Sequence, residues 1–419
     1  MFGDGDHNEL EPMIIHISGD IFGIIYKNKN DEANLKTVKI FQNGTIDDTI
    51  IDSLILDTNT PNDEPDIIHV ADDIYAAVYR DKTQSILETI EISPTGLING
   101  SVDKQNFDNV VCEDPELIHV NGDIFAIAYI KNPTRVTIRT VEINSDGLIT
   151  TVPASYIDEL IVENDGADDP NIIHVNGSIF AVSYSVKNSN YGDVSTFDID
   201  NTGIISDTTI DQFRFEEEKC EDSNMIHHGG NVYLIAFTST TPHTGYVKSL
   251  HIELDGNILE SISPYYTYSE DQGYEPHIIR INGEVYAIVF RGWSPHTGHL
   301  GTINPYDAMD PSNSGIVKQG AYGIFANTTH AFGTINDQTI SYNISGGWHH
   351  IALTYDGNFI TLFANGSEIA SQAYTEEINR NSNNLIFGSI FIGKIDEIAI
   401  YDRVLLKDEI LNHYLTQQP

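Results

Sequence analysis

The sequence predicts an all-β chain whose residues 1–305 form a six-bladed β-propeller of ~53-residue repeats. Three observations predict it. A ten-residue phrase recurs six times: SGDIFGIIYK at 18–27, ADDIYAAVYR at 71–80, NGDIFAIAYI at 121–130, NGSIFAVSYS at 176–185, GGNVYLIAFT at 229–238 and NGEVYAIVFR at 282–291. An acidic residue opens each unit, with proline after it in five of the six: Glu11, Glu64, Asp114, Asp169, Asp222 and Glu275, at steps of 53, 50, 55, 53 and 53 residues. Each unit holds several short strand-like runs and no helical periodicity, whereas solenoids of this period normally contain helices.

Within a unit the elements follow in a fixed order. Strand a is the type PNIIHV, 170–175, and a two-residue turn follows, Asn-Gly in three units, the strongest short hairpin signal. Strand b alternates two apolar faces: Phe125, Ile127 and Tyr129 on one, Ile124, Ala126 and Ala128 on the other. A sheet packed between two neighbours needs both faces apolar. A variable loop leads to strand c, as in VTIRTVEI, 136–143. A turn with glycine at a fixed place (Gly44, Gly96, Gly147, Gly203, Gly256) leads to strand d, as in Tyr156–Val162. One such sheet cannot bury both faces alone, so the unit is expected to recur until a ring closes. The sixth unit supplies strands a, b and c and then breaks into NPYDAMDPSNSG, while Met1–Phe2 align with the end of a strand d. The chain is therefore expected to begin inside a blade, with a three-stranded closing blade.

Residues 306–419 abandon the repeat. They contain GWHHIALTYDG, LFANGSEIAS, a hairpin about Asn365-Gly366, and GKIDEIAIYDRVLLKDEI running into VLLKDEILNHYL, 404–415, whose apolar spacing alone in the chain is helical. On these segments the region resembles a LamG-like module of the concanavalin A-like lectin/glucanase group. The resemblance implies a jelly-roll β-sandwich with a short C-terminal helix, and glycan or protein binding at a surface. Family modules carry further strands before GIVKQGAYGIFAN, so an incomplete sandwich is expected. The repeats in turn resemble propellers found beside such modules in archaeal and bacterial cell-surface proteins.

With 62 acidic side chains against 21 basic ones, the net charge of −41 excludes nucleic acid and anionic membrane surfaces as partners. No apolar run reaches the ~18 residues of a membrane helix, and no signal-peptide pattern is read at the start. Cys112 and Cys220 hold equivalent positions two repeats apart, too far to bridge, and are expected as free thiols. A monomer outside the cell or on its surface is expected; sequons at Asn43, Asn99, Asn176, Asn327, Asn343 and Asn365 are compatible with that.

Antiparallel blades place the tight turns on one face of the disc and the variable b–c and d–a loops on the other, where recognition is favoured. Glu11, Glu64, Asp114, Asp169, Asp222 and Glu275 would ring the mouth on that face. Hard cations take such oxygen ligands, so Ca2+ is the candidate cofactor; alternatively, these acids start turns and pair with Lys27, Lys29, Arg80, Lys82, Lys131, Arg135, Lys187 and Arg291 on the b–c loops. His16, His69, His119, His174 and His227, one per strand a, read as half-buried and hydrogen-bonded within their own blades. Arg291, Trp293, His296 and His299, on RGWSPHTGHLG, are the candidate ligand contacts, since an exposed Trp stacks on a sugar ring. Asp boxes, a Gly-x-Ser-x-Gly elbow, a His-Glu-x-x-His helix and a P-loop are all absent. The expectation is a non-catalytic adhesion protein recognising glycan or protein; the alternative is a glycoside hydrolase using a carboxylate pair from Asp114, Asp169 and Asp222.

Overall fold

A computed structural model describes residues 10–416 apart from 29, 42–44, 48, 59–62, 132–133, 151–155, 165, 188–190, 218–219, 240–242, 260–265, 270–272, 283–284, 293–297, 304–314, 319–321, 327–329, 337, 345–346, 379–384, 388–398 and 402. Strands make up most of the described residues, and one α-helix, Lys407–Thr416, is found among them. The chain divides into two compact units. The first is Met1–Ile226, Ile235–Glu260 and Thr267–Ile303; the second is Asn304–Pro419 with His227–Leu234 and Ser261–Tyr266.

The repeats form six successive antiparallel sheets, each a meander in chain order. Their first strands are Leu10–Ser18, Asp63–Ala71, Cys112–Asn121, Ala167–Asn176, Glu221–Gly229 and Tyr274–Asn282. The third sheet is typical: Cys112–Asn121, Ile124–Lys131, Arg135–Glu142 and Asp158–Glu163 pair in order. The sixth has three described strands, ending with Gly298–Ile303. This is the propeller-like arrangement expected, with strand d of the third unit starting two residues later than read.

The seams between sheets explain the two-faced strand b. Ala126, Ala128 and Ile138 of the third sheet share one buried cluster with Phe180, Val182, Tyr184 and Phe197 of the fourth. On its other face Phe125, Ile127 and Tyr129 pack with Ala76, Val78 and Leu87 of the second. Small residues on one face receive aromatic ones from the next, and each large buried side chain contributes roughly 1.5–3 kcal/mol.

Three ladders of hydrogen bonds cross the same seams. A threonine on strand c donates to the carbonyl of the next sheet's turn glycine at 2.6 Å: Thr37 to Gly96, Thr89 to Gly147, Thr140 to Gly203, Thr196 to Gly256. An aspartate on strand d accepts an N–H from the next sheet: Asp52 from Ile98, Asp103 from Ile149, Asp158 from Ile205, Asp211 from Ile258. These glycines have φ of 86–88°, and a Cβ on Gly203 would stand 2.9 Å from Ile157 Cδ1 of the preceding sheet, so the turn needs glycine for both conformation and close approach. The third ladder lies on strand a and is described with the site below.

In the second unit, a five-stranded and a three-stranded sheet enclose a core of Ala331, Ile335, Ile340, Ile360 and Leu362. Ser367–Ala373 follows Phe359–Ala364 through the Asn365-Gly366 turn, as expected. The helix begins at Lys407, its apolar Ile410 fully buried. Both cysteines are free and buried.

A carboxyl rim on the first strands

Strand a opens with a register irregularity against strand b, and the acidic residue sits in it. Asp114, Asp169, Asp222 and Glu275 all take left-handed backbone, φ 48–50°. For Asp114, Asp169 and Glu275, each before a proline, this conformation is costly, and such strain collects at functional sites. The irregularity re-aims each carboxyl along the array instead of into the sheet. The N–H of Asp169 lies 3.4 Å from Asp114 Oδ2, and the N–H of Glu275 donates to Asp222 Oδ2 at 3.0 Å. Asp222 also shares a side-chain hydrogen bond with Asp169. Carboxyl oxygens of Asp114, Asp168 and Asp169 all lie within 4.8 Å of one another.

Asp222 does not titrate as a free carboxylate. Burial pushes Asp222 up to about 6, and the Glu275 and Glu221 charges add to it against the hydrogen bonds that lower it. Asp114, Asp168 and Asp169 could hold a hard cation, but Lys187 Nζ is 2.6 Å from Asp168 Oδ2, so part of that charge is met within the chain. Arg80 lies 3.5 Å from Glu113, and Arg291 grips Glu275 through Nε (2.9 Å) and Nη2 (2.5 Å). Pairing between the b–c cations and the d–a acids is thus real for Arg80, Lys187 and Arg291. The side chains of Glu11 and Glu64 lie outside the described residues.

The residue after the proline carries the third ladder, which sequence reading missed. Asp66 Oδ2 accepts the N–H of Leu117 (2.9 Å), and Glu116 Oε2 that of Ile172 (2.5 Å). Asn171 Oδ1 accepts the N–H of Met225 (2.7 Å), and Asn224 Oδ1 that of Ile278 (3.0 Å). The signal was present: positions 66, 116, 171, 224 and 277 are all polar inside apolar strands. Burial pushes Asp66 to about 6 and Glu116 to about 8, with the Asp66 charge adding to the latter.

Of the four expected ligand contacts, Trp293 and His296 lie outside the described residues. Arg291 is on the rim, committed to Glu275. His299 is not brought to Arg291's partners; it is exposed on strand c and stacks on Phe290, centroids 5.1 Å apart at 11°. The five strand-a histidines are exposed instead of half-buried, because the turn they serve is open to solvent. Each Nε2 sits 2.8–2.9 Å from a carbonyl of its own hairpin turn. Each ring also leans on an aromatic of strand b, and the five do not converge.

Residues 310–411 match the family described as the concanavalin A-like lectin/glucanases superfamily. No curated protein matches the chain. Among solved structures, the chain is similar to an α-L-arabinanase of Penicillium chrysogenum complexed with arabinobiose, at 11% identity and TM-score 0.46, over 72% of this chain and 94% of that one. It is similar to the Trypanosoma rangeli sialidase at 10% identity and TM-score 0.42, over 98% and 94%. An α-L-arabinofuranosidase of Lactobacillus brevis follows at 13% and 0.36, over 60% and 93%. Likeness of this degree assigns no activity. It does correct the expectation of a protein without catalysis: these three are glycosidases, and they too lie among the structures this chain matches, so missing sequence motifs do not exclude an enzyme. What stands is an all-β chain, propeller-like in its repeats, that carries a lectin/glucanase-type module at 310–411.

Proposed function

We propose that the protein is a glycoside hydrolase acting on carbohydrate outside the cell, with its acid and base drawn from Asp114, Asp169 and Asp222. The observation that carries this reading is the approach of those three carboxyls from three successive first strands, with burial pushing Asp222 up to about 6. Asp222 protonates the glycosidic oxygen as the bond to the anomeric carbon breaks. The second carboxyl, Asp169 or Asp114, either takes the proton of the attacking water or bonds the anomeric carbon itself. The lectin/glucanase-type module holds the polymer, and Trp293, next but one to Arg291 in sequence, supplies a stacking face. The test is release of reducing ends or nitrophenol from a panel of polysaccharides and chromogenic glycosides. Asp222→Asn is expected to lower kcat by about 10²-fold or more with its melting temperature little changed. A chain that turns over nothing on the panel, or an Asp222→Asn variant with unchanged kcat, removes the reading.

A further inference from the structure

At the junction of the fifth and sixth sheets the rim acquires a rigid, mixed-charge platform. The Tyr274 ring packs near the His243 imidazole, centroids 4.6 Å apart at 32°, and near the Arg291 guanidinium, 5.3 Å from its centroid. Arg291 is held in both directions by Glu275, whose own N–H is bonded to Asp222. His243 keeps a left-handed backbone, φ 66°, pinned by the Gly273 N–H on its carbonyl. Its Nδ1 has no hydrogen-bond partner among the described residues and lies 3.8 Å from Glu221 Oε2. Tyr274 is buried, yet the polar groups around it stay open: the side chains of Glu221, His243 and Glu275 are 42%, 36% and 48% exposed.

We propose that this junction is a saccharide subsite that accepts uncharged sugar residues and rejects acidic ones. The inference rests on the glycoside-hydrolase reading and adds its substrate class. Hydroxyl pairs of a neutral sugar can donate to the exposed Glu221 and Glu275 carboxylates and accept from His243. A uronate or sialate carboxylate gains none of this. The one guanidinium placed to grip it is already satisfied bidentately, and the exposed acids around it, Glu221 and Glu275, repel. Specificity is thus set by the pairing partner of Arg291.

Affinity electrophoresis in gels containing neutral polysaccharides (arabinan, β-glucan, mannan) or acidic ones (polygalacturonate, alginate), at ~0.15 M salt so that the Debye length is about 8 Å, tests this. The wild-type chain is expected to be retarded by at least one neutral polymer and by neither acidic one. Glu275→Gln removes a charge, keeps the shape and releases Arg291, and should raise polygalacturonate affinity relative to neutral polymer by about tenfold, equivalent to roughly 1.4 kcal/mol. Glu221→Gln, outside the Arg291 pair, should move that ratio less. Retardation of wild type by acidic polymers, or Glu275→Gln and Glu221→Gln behaving alike, overturns this inference alone. Retardation by no polymer overturns both it and the function it rests on.

Discussion

Glu116 receives two hydrogen bonds across its seam, from the Asn171 amide and the Ile172 N–H, and stands beside Asp66. Its carboxyl keeps its proton in the folded chain to about 8, against 4.5 for an ordinary glutamate. The unfolded chain therefore binds fewer protons between those values. Stability from this group is full below pH ~4.5 and is lost as pH rises towards 8. Glu116→Gln keeps the shape and the acceptor and removes the ionisation, as Asn171 and Asn224 do at the equivalent positions. Thermal melts from pH 4 to 9 should show the variant equal to wild type at the acid end and more stable above pH 8, by on the order of a few kcal/mol; parallel profiles would refute the account. The ladder's polar residues were visible in the sequence, but their partners were not. A bond from Glu116 to Ile172 depends on how two sheets lie side by side, and no period within one strand encodes that.

A sheet here gains its stability at its seams. The strand-b alternation foretold which faces would pack, and Phe125, Ile127 and Tyr129 do oppose the second sheet. The threonine and aspartate ladders were equally periodic in the chain, yet a threonine inside a strand reads as ordinary β propensity until its hydroxyl is seen on the neighbour's glycine carbonyl. Thr140 is fully buried with the Gly203 carbonyl. Thr140→Val keeps the volume and leaves that carbonyl unpaired, which costs about 1–3 kcal/mol. Denaturant titration should show a lower midpoint with an unchanged slope; a midpoint within error of wild type would mean that the ladder decorates the seam without holding it.

Across the whole molecule, 62 acids face 21 bases, and among the described residues several cations are spent on the rim or between sheets. Self-repulsion should therefore oppose folding at low ionic strength. Raising NaCl from ~0.01 to ~0.3 M shortens the Debye length from about 30 Å to below 8 Å and should raise Tm by about 5 °C; exposed pairs such as Arg403–Glu409 lose too little to reverse the sign. A falling Tm would show that attraction outweighs repulsion. Composition made this legible from the start, as the repeat made the architecture legible, whereas the proposed acid–base pair was not legible because an equivalent acid in every unit looks like scaffolding. Finally, every ladder runs one way, with one sheet's side chain always meeting the following sheet's backbone. Each seam is thus the same plug and socket, and an in-frame copy of residues 115–169 spliced behind the original would find both mating surfaces ready. Copy number in such a chain can drift by gene duplication without a single new contact having to be invented.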